Sequence, residues 1–185
     1  IINQMIPADS GEITLGSKVH IGYYDQENQN LDPSKTVLDE LWDAYPRLTE
    51  TEIRNALGQF RFVGEDVYKT VSVLSGGERA RLTLCKLILS RMNLLILDEP
   101  TNHLDIDSRE ALEGALSAFD GTVIAVSHDR YFIEKLATRI LEIAPGHGIS
   151  GTVSGSGSDF TDYRVTHPGT AYTEYRQFME ARQSG

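Results

Sequence analysis

The sequence predicts an α/β fold whose core is a parallel sheet. Strand and helix patterns alternate along residues 94–143, an order that implies parallel pairing with right-handed crossovers. The apolar run 94–97 is too short for a helix and suits a strand buried on both faces. Asp98 and Glu99 follow at once, and Pro100 stops the strand. Both acids therefore lie at the carboxyl edge of the sheet, where open α/β sheets bind ligands.

The composition excludes several classes of protein. The chain has 185 residues, enough for one domain with a subdomain and a substantial core. A formal net charge of -10 argues against a broad basic face for nucleic acid or an anionic membrane, although a local basic stripe stays compatible. No apolar run approaches the roughly 20 residues of a membrane span, and no signal peptide is visible. Cys85 is the only cysteine, so no internal disulfide can form, and a reducing, cytoplasmic setting fits best.

The first 30 residues are predicted to be the end of a helix and a hairpin. Apolar residues at positions 1, 2, 5 and 6 follow helical spacing up to Pro7, with neither a starting Met nor an N-cap before them. We therefore expect the last turns of a helix whose beginning precedes this sequence. Residues 12–15 and 18–24 are predicted as the two strands of the hairpin, joined by a turn at residues 16–17.

The hairpin contains a pattern that imitates a phosphate-binding loop. Such a loop needs Gly-x4-Gly-Lys-Ser/Thr, with the lysine reaching the phosphates from the first helical turn. Residues 11–18 have serine and lysine in the opposite order, and a strand pattern follows instead of a helix. Residues 146–152 repeat the glycine spacing without the lysine. Neither segment is interpreted as a phosphate loop.

Residues 31–91 are predicted to be mostly helical. An apolar stripe occupies residues 37–42, and Thr49 with Glu52 forms a capping box that opens a second helix. A long apolar helix follows residues 75–78, for which two interpretations stay open. Ser-x-x-Glu is a capping box, which explains the serine and the glutamate without any ligand. Two glycines at a helix N-terminus also expose backbone N–H groups and let a phosphate approach closely.

The last part of the chain continues the alternation and then changes in composition. The predicted elements are a helix over residues 107–119, a strand over 122–126, a short helix over 131–136 and a strand over 139–143. Gly, Ser and Thr dominate residues 146–169, which predicts a mobile loop or a loose hairpin. Aromatic residues then recur at helical spacing, which predicts a closing amphipathic helix.

Three predicted strand ends present polar groups, and such ends converge on one edge of a parallel sheet. They carry Gln26, Asp98 with Glu99, and His128. Phosphate hydrolysis needs this combination: one carboxylate for Mg²⁺, a second for the attacking water, and neutral or cationic donors for the γ-phosphate. Taken singly, a histidine after a strand is usually a satisfied turn residue, and a glutamine is usually polar surface.

Four motifs in order resemble an ATP-binding-cassette (ABC) ATPase domain. They are Leu74-Ser75-Gly76-Gly77-Glu78, the strand ending in Asp98-Glu99-Pro100, Thr101-Asn102-His103-Leu104-Asp105, and Ser127-His128-Asp129. The last two resemble the ABC-F branch, whose members are soluble cytoplasmic proteins with two cassettes in one chain, many of which act on ribosomes. The resemblance covers about residues 1–143, and the last helix also resembles an ABC-F cassette end.

The resemblance implies ATP and Mg²⁺ as cofactors and a role for each strand-end residue. Asp98 resembles the Walker B magnesium residue, and Glu99 resembles the catalytic base. Gln26 resembles the Q-loop glutamine, which links the metal and the water to the helical subdomain. His128 resembles the switch histidine on the γ-phosphate.

The resemblance also implies partners. Residues 74–78 resemble the signature, which contacts nucleotide held by the opposite cassette, and Asp105 resembles the D-loop aspartate that crosses the cassette interface. The first partner is therefore a second ABC cassette, in the same chain or in a dimer. The ABC-F branch adds the ribosome or RNA, and only a transporter would add a membrane subunit.

The implied fold is a P-loop NTPase-like (RecA-like) parallel sheet with an inserted helical subdomain, truncated at its N-terminus. The family's phosphate loop, the strand before it and an adenine-stacking aromatic should precede residue 6, and residues 1–185 contain none of them. The expected division is an incomplete core over residues 1–30 and 92–145, a helical subdomain over 31–91 that ends in the signature helix, a Gly/Ser-rich loop over 146–170 and a C-terminal helix over 171–185.

Three functions are compatible with the sequence. The leading hypothesis is the C-terminal cassette of an ABC-F ATPase that couples ATP hydrolysis to a ribosome-related task; the intact protein is then active and this chain alone is inactive. The second is the nucleotide-binding domain of a transporter, with a membrane partner docked on the helical subdomain near Gln26. The third is a non-catalytic interaction module, because these 185 residues include no phosphate loop.

Overall fold

The computed structural model describes residues 1–3, 5–8, 11–24, 30–102, 104–143 and 160–183. The chain divides into two compact units, Ile1–Ser127 and His128–Gly185. The predictions for Gln26 and for loop residues 146–159 fall outside the described residues, as does His103. Within the described ranges, no helix combines the length and the apolarity needed to cross a membrane.

A three-stranded parallel sheet forms in the first unit, which confirms the predicted fold class. Its strands, in spatial order, are β1 (Ile21–Tyr24), β2 (Leu94–Asp98) and β3 (Thr122–Val126). Tyr24, Leu95 and Leu97 are at most 2% exposed. On the opposite face Leu94 and Ile96 of β2 are only half-buried, so the prediction that β2 is buried on both faces holds fully for one face only.

The N-terminal helix end does not form. Residues 2–3 form a turn and residues 5–6 a bend, and Ile1, Met5 and Ile6 leave 53%, 68% and 64% of their surface exposed. The physical reason is that a helix needs a nucleated turn and a face to bury, and these few residues provide neither.

The predicted hairpin does not form either, because the Asn93 side chain binds the main chain just before β1. Residues 12–15 are irregular, and the strand predicted over 18–24 begins only at Ile21. The Asn93 Oδ1 accepts from the His20 N–H at 2.9 Å, and its Nδ2 donates to the Lys18 carbonyl at 2.8 Å. These bonds lead the strand into parallel pairing with β2 instead of antiparallel pairing with residues 12–15.

Helices occupy most of residues 37–89, as the apolar patterns predict. They are α1 (Val37–Ala44), α2 (Glu50–Gln59) and α3 (Gly76–Leu89), with 3-10 turns at Gly64–Tyr68 and Val71–Val73. Both predicted capping boxes form, one at Thr49 with Glu52 and one at Ser75 with Glu78. The apolar faces of these helices are fully buried at Val37, Leu41, Ile53, Leu57 and Leu82. Helix α4 (Ile106–Ser117) then connects β2 to β3.

The second unit differs from its prediction in strand direction. It contains α5 (Arg130–Leu136), β4 (Arg139–Ile143), β5 (Phe160–Arg164) and α6 (Ala171–Gln183). The prediction of a further parallel strand at residues 139–143 is wrong, because β4 pairs antiparallel with β5. Arg139 donates to both carboxylate oxygens of Asp162, at 2.7 and 2.5 Å, across this ladder. Strand β5 lies within the segment predicted as a Gly/Ser-rich loop.

Two glycines provide a stability test of this fold. A Cβ at Gly121 would lie 2.8 Å from the Asn93 carbonyl oxygen and 2.4 Å from the Phe119 ring, whereas a Cβ at Gly58 in α2 would meet nothing within 4 Å. We expect Gly121→Ala to lower the free energy of unfolding by about 1–3 kcal/mol, because a backbone carbonyl cannot give way. The matched Gly58→Ala should raise it by up to about 1 kcal/mol. Urea unfolding followed by circular dichroism measures both, and a neutral Gly121→Ala contradicts the packing described.

Candidate functional site

The two acids at the end of β2 have different surroundings. Asp98 is the last residue of the strand and is exposed. Glu99 is half-buried, and its N–H donates to the Val126 carbonyl of β3 at 2.9 Å. The carboxyl ends of two neighbouring strands therefore meet at this pair of carboxylates.

Glu99 has a left-handed backbone with a φ of 44°. The other non-glycine residues with positive φ in the described part of the chain, Arg61 at 65° and Arg91 at 53°, each follow a helix, where this conformation is common. Glu99 instead follows a strand. A left-handed non-glycine residue costs about 1–3 kcal/mol, and such residues cluster at functional sites. The conformation takes the Glu99 side chain out of the alternation of β2.

A short segment with two buried side chains connects these acids to α4. Thr101 and Leu104 are 4% and 7% exposed, and the Asn102 N–H donates to the Glu99 carbonyl at 3.1 Å. Asp105 then caps α4, because its Oδ1 accepts from the Ser108 N–H at 2.7 Å. Hydrogen bonds from the Ser108 side chain and main chain lower the pKa of Asp105, and the nearby Arg81 guanidinium adds to this effect.

Arg81 of α3 holds the start of α4 in place. Its Nη1 donates to the Ser108 Oγ at 2.6 Å and lies 3.8 Å from the Asp105 Oδ1. Its guanidinium also lies over the Phe62 ring, 5.4 Å from the centroid, and its side chain is only 11% exposed. The sequence prediction missed this residue. The sequence contains no signal that distinguishes Arg81 from Arg79, which lies two residues earlier in the same helix.

Residues 74–78 form the start of α3, with Leu74 buried and Ser75 and Gly76 exposed. The Ser75 N–H donates to the Glu78 Oε2 at 2.8 Å, and the Glu78 N–H donates to the Ser75 Oγ at 3.3 Å. The bond from the Ser75 N–H is the main cause of the lowered pKa of Glu78. A Cβ at Gly76 would meet nothing within 4 Å. The capping box is thus present, and the space beside this helix end is open as an anion site requires.

The structure brings together some of the predicted strand-end residues. Asp98 and Glu99 lie side by side, and Asp105 closes the segment that begins at Glu99. Gln26 is outside the described residues. His128 is exposed and lies two residues after β3, but it belongs to the second unit, where the next residue, Asp129, caps α5 by accepting from the Tyr131 N–H at 3.0 Å.

The donor set at β2 fits one kind of metal ion. Across the described ranges, no group of three or more His, Cys, Asp or Glu side chains is arranged to hold a metal. Mg²⁺ does not need such a group, because it keeps several waters and is held by one or two carboxylates together with substrate phosphates. Asp98 and Glu99 therefore fit Mg²⁺ that arrives with a nucleotide.

Known proteins share much of this sequence. A profile of the family described as "ABC transporter" matches residues 1–102. The chain is 61% identical over 139 residues to the putative ATP-binding protein YdiF of Bacillus subtilis, covering 75% of this chain and 22% of that protein. It is 46% identical over 138 residues to ABC transporter F family member 5 of Arabidopsis thaliana, covering 74% and 20%. It is 42% identical over 159 residues to the energy-dependent translational throttle protein EttA of Haemophilus influenzae, covering 84% and 28%. The chain thus spans less than a third of each relative.

Solved structures share the fold. An RNase-L Inhibitor matches with a TM-score of 0.60 and 25% identity, covering 75% of this chain and 28% of that one. The dimeric, post-hydrolysis ATP-binding cassette MJ0796 bound to ADP and Pi matches with a TM-score of 0.55 and 22% identity, covering 66% and 58%. The sheet and helices described above therefore have the P-loop NTPase fold of such cassettes.

Proposed function

Because the chain belongs to the ATP-binding-cassette family and to its F branch, we propose that it forms part of a cassette that binds and hydrolyses ATP in the full-length protein. One observation carries the proposal. Asp98, exposed at the end of a parallel strand, is followed by Glu99 with a left-handed φ of 44°. Phosphate hydrolysis uses one group to hold Mg²⁺ and another to orient the attacking water, and these two carboxylates differ in both burial and backbone direction.

The proposed roles of Asp98 and Glu99 are supported by those positions, whereas those of Gln26 and His128 rest on the resemblance of their motifs. Asp98 and Gln26 would hold Mg²⁺, which would supply positive charge to the phosphate oxygens. Glu99 orients the attacking water and accepts its proton as the water oxygen bonds to the γ-phosphorus and the bond to the ADP oxygen breaks. His128 donates to the γ-phosphate.

The second half of the proposal concerns a partner cassette, in the same chain or in a dimer. Residues 74–78 contact nucleotide held by that partner, and Asp105 faces it. The open space beside Gly76 and the 67% exposure of the Asp105 side chain support these roles. MJ0796, which shares the fold, is a dimer in its nucleotide-bound structure.

The proposed task is a cytoplasmic one in translation, on the ribosome or its RNA. Its support is the similarity to EttA, which is an energy-dependent translational throttle protein. A transporter domain with a membrane subunit is the second candidate, since the matching profile is described as "ABC transporter". Copurification of the full-length protein with ribosomes or with membranes separates the two.

The partner role of residues 74–78 is tested by Gly76→Asp in the full-length protein. Nothing lies within 4 Å of a Cβ at this position, and an acidic residue in the first turn suits the helix dipole, so α3 should fold normally. The carboxylate should nevertheless repel the γ-phosphate of the opposite cassette, so we expect ATP-driven compaction to be lost. Small-angle scattering of a Glu99→Gln protein, with and without ATP, measures this.

The matched control is Gly114→Asp in α4, which adds the same charge at a position with nothing within 4 Å. In the same Glu99→Gln background, Gly114→Asp should leave the ATP-driven compaction unchanged. Compaction that survives Gly76→Asp shows that residues 74–78 are a capping box and nothing more.

A further inference from the structure

A partly buried ion pair connects α1 to α3 away from the acids of β2. Glu40 is 3% exposed and the Lys86 side chain is 31% exposed, and the Glu40 Oε1 accepts from the Lys86 Nζ at 2.5 Å. Glu40 lies in α1, and Lys86 lies in the last turn of α3, the helix that begins with residues 74–78. Ion pairs contribute little net stability when they are exposed, and little compared with apolar residues of similar volume when they are buried. The pair therefore calls for an explanation other than stability.

Both members of the pair also hold a third segment by its main chain. The Glu40 Oε2 accepts from the Asp32 N–H at 3.2 Å, and the Lys86 Nζ donates to the Asn30 carbonyl at 3.5 Å. Asn30 is the first described residue after Gln26. The ion pair thus fastens residues 30–32, which follow Gln26 in the sequence by four to six positions, to the C-terminal end of α3.

The same segment is fastened near the other end of α3. The Val71 N–H donates to the Lys35 carbonyl at 2.9 Å, and the Ser72 N–H donates to the Pro33 carbonyl at 3.1 Å. Val71 and Ser72 lead within two residues into Leu74. Residues 30–35 are therefore attached both to the approach to α3 and to its last turn.

We propose that Glu40 and Lys86 are positioning residues that fasten residues 30–32 to α3, so that these residues and the helix that begins at residues 74–78 move together during the ATPase cycle. The inference rests on the proposed function, since it connects the cassette's own nucleotide site to the element that serves the opposite site. Hydrogen bonds to the main chain make the attachment independent of side chains in residues 30–32.

The sharpest test removes one main-chain bond and leaves the ion pair intact. In the full-length protein, Asp32→Pro eliminates the N–H that Glu40 accepts. Asp32→Ala is the matched control, because it keeps that N–H and removes only the carboxylate that accepts from the Ser34 N–H at 2.9 Å and the Ser34 Oγ at 2.6 Å. We expect Asp32→Pro to lower kcat at least about tenfold, within the range of ordinary couplings between sites, with the Kd for ATP nearly unchanged. Asp32→Ala should keep both values.

A second variant removes the pair without leaving a lone buried charge. Glu40→Met with Lys86→Met should unfold at nearly the temperature of the unmodified protein and show the same loss of kcat at unchanged Kd. Its control is Glu50→Met with Arg54→Met, which removes the partly exposed pair on α2, where Arg54 Nε lies 2.7 Å from Glu50 Oε1. The single variant Lys86→Arg, which keeps a positively charged donor for Glu40, should keep the turnover that the double methionine variant loses.

The outcomes test the positioning role of Glu40 and Lys86 separately from the proposed ATPase function. An unmodified full-length protein without ATPase activity contradicts the proposed function itself. An active protein in which Asp32→Pro keeps kcat within twofold overturns the positioning role, whether or not the double methionine variant folds. A loss of ATP affinity equal to the loss of kcat also overturns it, since that result indicates general damage.

Discussion

Glu99→Gln in the full-length protein is expected to lower ATP turnover by about 10²-fold or more while ATP binding is retained. The change keeps the size and the hydrogen-bonding reach of the side chain and removes only its ability to take a proton from water. Binding should survive because Asp98 and the phosphate contacts are untouched. Phosphate release under saturating ATP and the Kd for a fluorescent ATP analogue measure the two effects.

The control for this variant is Glu110→Gln, which removes an equally negative charge from α4. Glu110 is 61% exposed and lies 3.7 Å from Arg61, so its replacement should change turnover by less than twofold. If Glu99→Gln turns over ATP within a few-fold of the unmodified protein, Glu99 is not the base, and the strain at its φ of 44° requires another explanation.

Local chemistry explains which parts of the fold were predictable. The capping boxes at Thr49 and Ser75 formed as predicted because each uses groups only three residues apart. Strand β2 was predictable because its apolar run and the proline that ends it are contiguous in sequence. The positions of Asp98 and Glu99 at a strand end follow from the same few residues.

The wrong predictions have a different cause. Each depended on which of two segments, distant in the sequence, a strand pairs with. Residues 18–24 could have paired with residues 12–15 or with β2, and Asn93, some seventy residues away, decides between them through its side chain. Strand β4 could have joined the parallel sheet, but β5 pairs with it across the Arg139–Asp162 bonds. Strand β5 was not predicted because Gly, Ser and Thr dominate the composition of residues 146–169 taken as a whole.

The positions of the acidic residues could be predicted from the sequence, whereas the contacts that hold the surrounding helices in place could not. Motif spacing placed Asp98, Glu99 and Asp105, whereas the bond from Arg81 to Ser108 depends on how α3 packs against α4. The Glu40–Lys86 pair likewise joins helices 46 positions apart in the chain. A single sequence gives no information about which buried charges meet, because helical periodicity fixes the face of a residue and not its neighbour.

The 185-residue chain alone should bind ATP very weakly. Backbone N–H groups around the β-phosphate and one lysine supply most of the affinity of a phosphate loop, and no Gly-x4-Gly-Lys-Ser/Thr occurs in residues 1–185. The strand-end groups that remain are the carboxylates of Asp98 and Glu99, the Gln26 amide and the His128 ring. Without a cationic cradle, the two carboxylates repel a nucleotide, and the net charge of -10 adds to the repulsion.

Magnesium does not rescue binding by this chain, because Mg²⁺ keeps its waters and binds two adjacent carboxylates loosely. Calorimetry of the 185-residue chain with Mg-ATP at micromolar concentrations should therefore show no saturable heat. A longer chain that includes a phosphate loop should show saturable binding under the same conditions, which controls for the folding of the shared residues. Because the acids of β2 act on a phosphate that other residues must hold, micromolar affinity in the 185-residue chain would mean that the nucleotide site lies elsewhere in these residues.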